Sequence, residues 1–110
     1  MAITQETIEQ ACFSLISFSG AAKSDYLEAV EHAKSGNFNQ AEACIAQGNE
    51  HYLKAHESHF DLIKEEVATE TGLLTRLTLV HPEDQLAMVE TTKLFAEQII
   101  ELYRRLDRQE

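Results

Sequence analysis

Apolar and small residues recur every three or four positions from the start of the chain, at Ile8, Cys12, Leu15, Ser19, Ala22, Tyr26, Ala29 and Ala33. That interval keeps them on one face of an α-helix, so a long helix is expected from Thr4 to about Lys34, with Thr4 or Thr7 as its N-cap. The pattern stops at Ser35, Gly36 and Asn37. Glycine and asparagine accept the left-handed backbone that ends helices, so these residues predict a C-cap and a tight turn. A second run, Phe38, Ala41, Ile45, Gly48, Tyr52, Ala55, His59, Leu62 and Glu66, alternates threes and fours without a break. It predicts a helix roughly 45 Å long.

The pattern breaks around Glu70 to Gly72, and the following LLTRLTLV is apolar with β-branched residues. Such a run fits either a short strand or the opening of a third helix, and the helix is the expectation here. Beyond Pro82 two apolar stripes lie side by side. Leu86, Val89, Ala96, Ile100 and Tyr103 form one; Met88, Phe95, Ile99, Leu102 and Leu106 form the other. Three antiparallel helices close a core with one stripe each, and a second stripe is apolar surface of a kind monomers seldom expose. Self-association is the expected outlet.

With 110 residues, only four glycines and a single proline, the chain suits one all-α domain spanning 1–110. The excess of 19 acidic over 9 basic residues gives a net charge of −10. That charge repels nucleic-acid backbones and anionic membrane surfaces, and it favours a basic protein partner. No apolar run reaches the roughly 20 residues that span a bilayer, and the N-terminal stretch lacks a basic segment followed by an apolar one. A cytoplasmic protein without direct membrane insertion is expected. Cys12 and Cys44 both fall within helical apolar patterns, where a free thiol behaves as a small buried hydrophobe.

Two groups of residues could carry chemistry. On the second helix, His56 and His59 stand three apart near His51 and Glu57, but HESH lacks the spacing of a zinc-protease motif and has no third ligand at a diagnostic distance. His59 occupies a seam position, where a neutral imidazole needs a hydrogen-bond partner. It reads either as a satisfied interfacial histidine or as the partner of a reactive group. In LTLVHPEDQLAM, His81 and Asp84 lie one helical turn apart, so the acid can orient the imidazole. An imidazole with a pKa of about 6.5 is mostly neutral and nucleophilic at pH 7. Spacing alone leaves both a structural and a reactive His81 open.

Four landmarks narrow this. SGAAKSDYLEAV (Ser19 to Val30), AKSGNFNQAE (Ala33 to Glu42), AHESHFDLIKEE (Ala55 to Glu66) and LVHPEDQLAM, in this order and at these separations, resemble the lactose/cellobiose-specific enzyme IIA components of the phosphoenolpyruvate-dependent sugar phosphotransferase system. The resemblance runs over nearly the whole chain. It implies three long antiparallel helices per subunit and a homotrimer that forms a nine-helix bundle, which would bury the second stripe. It implies that His81 accepts a phosphoryl group from the phosphocarrier HPr and passes it to a cysteine of the IIB component. It further implies that Asp84 lies near the trimer axis and binds a divalent cation, expected to be Mg²⁺. Like carboxylates crowded on one axis repel, and a hard cation with oxygen ligands relieves that repulsion.

The departures from the family pattern are specific. Pro82 stands for the usual alanine after the reactive histidine, Gln85 for histidine, Ala87 for methionine and His59 for glutamine. Pro82 lacks an N–H, so either a kink or a helix that begins at Pro82, with His81 just outside, is expected. The function expected is that of a phosphoryl carrier with a phosphohistidine intermediate, docking its partners on an apolar rim of Leu77, Leu79 and Leu86. The alternative is a non-catalytic helical interaction or regulatory module on the same scaffold.

Overall fold

The α1–α2 turn shows how local sequence sets the architecture. Helix α1 (Gln5–Lys34) ends where Gly36 adopts a φ of 78°, a left-handed conformation that costs glycine nothing. The Asn37 N–H then donates to the His32 carbonyl at 2.9 Å, and the Gly36 N–H to that of Ala33 at 3.0 Å. These two bonds are the Schellman closure of a helix. The chain reverses at once, because the Asn37 carbonyl already accepts from the Ala41 N–H at 3.0 Å and so opens α2 (Phe38–Thr69). Helix α3 spans Leu77–Gln109.

The computed structural model describes residues 5–69 and 77–109, with side chains for residue 6 and for residues 9–62 and 82–108. The described residues form three helices and the turn at residues 35–37, in a rod of 60 × 18 × 17 Å. Thr7 lies inside α1 and is not its cap, while Thr4 is outside the described residues. From the run LLTRLTLV, residues 77–80 are helical and 73–76 are outside the described residues.

Three groups of buried residues fix the register. Near one end Cys12 and Leu15 meet Ala55, Leu62 and Leu86. Midway, Ala22 and Tyr26 meet Val89 and Ala96. At the turn, Ala29 and Ala33 meet Ala41 and Ile100. Numbers rise together on α1 and α3 and fall on α2, so sequential helices run antiparallel, as the three apolar stripes predict. Among the described residues the α1 backbone runs close to both neighbours, whereas α2 and α3 meet mainly through side chains such as Leu62 with Leu86 and His59 with Glu83.

Small residues make the close approach to α1 possible. Ser19, Ala22, Ala29 and Ala33 on α1 are buried, as are Ala41, Gly48 and Ala55 on α2. Among the described residues the buried Ser19 hydroxyl has no hydrogen-bond partner. Tyr26 is the largest fully buried side chain. Its ring lies flat against Gly48, and its hydroxyl donates to Asn49 Oδ1 at 2.7 Å. Burial, followed by the charges around Tyr52, Glu97 and Asp25, pushes the phenol well above its ordinary pKa, so it stays a donor at any physiological pH.

The second stripe of α3 is uncovered in the single chain. Met88, Phe95, Ile99, Leu102 and Leu106 are all exposed, Phe95 by 64% and Leu102 by 56%. No described helix is long and apolar enough to cross a membrane.

Gly48 yields a direct check. A Cβ there would sit 2.6 Å from Tyr26 Cε1, against a ring that is buried and pinned by its hydroxyl. Gly48→Ala gains helix propensity of about 1 kcal/mol but overpacks the site by about 1–3 kcal/mol. The expected outcome in urea unfolding is a net destabilisation of about 1 kcal/mol, where the same change at an open helical site would stabilise.

Candidate functional site

The residues around position 81 are held by the end of the bundle farthest from the α1–α2 turn. Leu86 is buried among Cys12, Leu15, Ala55 and Leu62, and Val89 lies one turn further on in the next group. These two contacts anchor the N-terminal part of α3 to α1. Burial, and behind it the Glu83 and Glu9 carboxylates, push the Cys12 thiol up; a protonated buried thiol is inert, as expected for a structural cysteine.

α3 is helical from Leu77 through Pro82. The helix therefore does not begin at Pro82, and position 81 lies within it rather than just outside. Pro82 leaves the Thr78 carbonyl without its helical donor, but its ring is fully buried, which offsets part of that loss. A ring in the core also removes position 82 from any exposed surface. Leu86, expected on an apolar rim, is likewise core. The side chains of Leu77 and Leu79, the other proposed rim residues, and the side chain of His81 lie outside the described residues.

Because α3 is continuous, positions 81 and 84 fall on adjacent turns of one face. Asp84 is exposed. At about 100° per residue it lines up with Met88, Phe95, Ile99, Leu102 and Leu106, at the head of the uncovered apolar stripe. No described hydrogen bond or ion pair engages it.

Glu83, next to Asp84 in the HPED stretch and without an expected role of its own, carries a polar contact that ties α2 to this region. His59 Nε2 lies 2.8 Å from Glu83 Oε1, and both side chains are half-buried. His59 is thus a satisfied interfacial histidine, and its partner is the residue two positions beyond His81. The partner sits 24 residues away across a connection whose register no local pattern gives. The other histidines of α2 diverge. His51 Nδ1 bonds Asp25 Oδ2 at 2.6 Å, and His56 packs on the Tyr52 ring with centroids 4.8 Å apart. His51, His56 and His59 therefore face different partners and form no shared metal site.

The family profile described as "PTS system, Lactose/Cellobiose specific IIA subunit" matches residues 10–104. The chain belongs to this family of enzyme IIA subunits. It is 36% identical over 104 residues to the lichenan-specific phosphotransferase enzyme IIA component of Bacillus subtilis, covering 94% of each chain. It is 29% identical over 103 residues to the lactose-specific EIIA component of Staphylococcus aureus, covering 94% of this chain and 99% of that one. The crystal structure of the cellobiose-specific enzyme IIA from Bacillus anthracis superposes with a TM-score of 0.87 at 30% identity, covering 98% of this chain and 96% of the other. This enzyme IIA chain is therefore a component of a sugar phosphotransferase system, and its fold is the family's.

The proline is the family departure with the clearest physical consequence. Pro82→Ala restores an N–H for the Thr78 carbonyl and gains about 3 kcal/mol of helix propensity. It removes ring carbons worth about 1–2 kcal/mol of burial. The variant is expected to be more stable than the wild type by about 1 kcal/mol, read as a higher thermal midpoint; a lower midpoint would mean that the buried ring outweighs the missing hydrogen bond.

Proposed function

We propose that the chain is a phosphoryl carrier. His81 accepts a phosphoryl group from phospho-HPr and passes it to a cysteine of the IIB component during sugar uptake. A nitrogen of the neutral imidazole attacks phosphorus, the bond from phosphorus to HPr breaks, and an N–P bond forms on His81. In the second transfer the cysteine sulfur attacks and the imidazole leaves. Such a step asks the protein mainly for positioning and charge stabilisation. The chain's own surface is acidic, with a net charge of −10, so the partners are expected to bring basic residues to the phosphoryl group. What carries this reading is the family match over residues 10–104, together with the backbone of positions 81 and 84 on one uninterrupted helix.

The uncovered stripe of α3 supports a homotrimer in which three such faces meet and nine helices pack together. Asp84 fits the cation that the family implies. It is an exposed carboxylate at the head of that stripe, a hard oxygen donor of the kind Mg²⁺ takes. In the trimer, Asp84 from each subunit would approach the axis, and the cation would neutralise their mutual repulsion. Its role is to hold subunits together rather than to take part in phosphoryl transfer.

Two experiments test these assignments. On incubation with enzyme I, HPr and phosphoenolpyruvate, the wild type is expected to gain a phosphoryl mass that His81→Ala lacks completely. An unlabelled wild type contradicts the carrier reading. For the metal, Asp84→Ala is expected to lose the Mg²⁺ that elemental analysis finds in the dialysed wild type, while keeping the wild-type assembly mass because the repulsion goes with the ligand. Unchanged Mg²⁺ content in Asp84→Ala would show that the cation binds elsewhere.

A further inference from the structure

Glu28, His32 and Cys44 meet on the surface of the α1–α2 hairpin, a place no part of the phosphoryl-carrier reading uses. Their ligand atoms, one from each side chain, all lie within 4.8 Å of one another, and among the described residues theirs is the one group of three or more such side chains this close. Glu28 and His32 are one turn apart on α1, with Glu28 Oε1 3.6 Å from His32 Nε2. Cys44 approaches from α2.

We infer that these three side chains form a binding site for a borderline divalent metal ion of the Zn²⁺ class, with water as the fourth ligand. The donor set decides the class: thiolate, imidazole and one carboxylate suit Zn²⁺, whereas Mg²⁺ takes oxygen ligands. The dimensions agree. Metal–ligand bonds of about 2.0–2.3 Å in a tetrahedron separate neighbouring donor atoms by about 3.3–3.8 Å. The Glu28–His32 pair already has that separation, and closing the remaining gap takes about 1 Å, within reach of a side-chain rotation.

The backbone around the site is built to hold it. His32 supplies the carbonyl that accepts both the Ser35 and Asn37 N–H groups in the turn, so its main chain is fixed by the Schellman closure. Cys44 is half-buried and packs against the buried group of Ala29, Ala33, Ala41 and Ile100. Burial, and after it the Glu28 and Asp25 carboxylates, push the Cys44 thiol up. Without a metal it is a quiet, protonated thiol, and those same carboxylates attract a cation. The site is level with Ile100, and Asp84 with Leu86 near the other end of the rod. The separation along α3 is about 20 Å, so this site and the Asp84 cation are independent.

The test uses the full, tag-free chain and Co²⁺ as a spectroscopic stand-in for Zn²⁺. One equivalent per chain is expected to give the visible bands of a four-coordinate ion and a near-ultraviolet thiolate-to-cobalt band, both erased by Zn²⁺. Cys44→Ser should abolish the thiolate band and His32→Ala should weaken binding at least about tenfold, while Cys12→Ser and Asp84→Ala keep the wild-type spectrum. A spectrum unchanged in Cys44→Ser, or lost in Cys12→Ser, overturns the assignment. Alkylation of the wild type gives a check that needs no variant. Zn²⁺ should slow the modification of Cys44, located by peptide mass, at least about tenfold, and equal rates with and without Zn²⁺ overturn the proposal.

Discussion

The close packing of α1 against two neighbours is the constraint from which the rest follows. Ser19, Ala22, Ala29 and Ala33 leave room for α2 and α3 to lie against α1 at once, and Gly48 lets the Tyr26 ring fill the space between α1 and α2. With α1 in the middle, the described parts of α2 and α3 meet through side chains rather than close backbones. One flank of α3 is then core and the other, from Met88 to Leu106, has nothing in its own chain to rest on. Burying a side chain such as Leu or Phe is worth about 1.5–3 kcal/mol. Five exposed side chains on one stripe are a strong drive toward association, and the proposed homotrimer is the arrangement that the family suggests for it.

The same constraint places the candidate site. Leu86 and Val89 clamp the start of α3 to α1, Pro82 turns its ring into the core, and Glu83 reaches His59 on α2. The backbone at position 81 is thus held on a supported helix at one end of the rod. The proposed carrier, which would meet two different proteins in turn, would benefit from a reactive position at an end of the bundle, where a partner can dock without disturbing the core. Family membership makes this chain a component of a sugar phosphotransferase system. Its relatives are named for lichenan in one case and lactose in another.

Periodicity made most of the fold legible. Each apolar position read from Cys12 to Ala33 recurs as core, the Gly36–Asn37 turn closes as its residues demand, and the double stripe of α3 separates into one buried and one exposed face. What periodicity could not give was anything that depends on contacts between helices. The His59–Glu83 and His51–Asp25 pairs join residues far apart in sequence, and their alignment is decided by how three rods slide past one another. Of the two readings of Pro82, a kink or a helix start, only the start is excluded, because the core accepts its ring and the helix runs through. Leu86 read as a surface rim because it follows His81 closely, yet it stands one turn from Pro82 on the buried side. Cys44, grouped with Cys12 as a core thiol, is only half-buried, a difference that alternation of threes and fours does not resolve.

The central claim is that the outer stripe of α3 is covered by copies of the same chain. Sedimentation equilibrium tests it most directly, because the chain mass of 12.4 kDa separates monomer from trimer without ambiguity. The account predicts a species of three chain masses for the wild type, falling to one chain mass when Phe95 and Leu102 are both replaced by Glu. A wild type that sediments as a single chain at micromolar concentration, or a double variant that keeps the trimer mass, would contradict it.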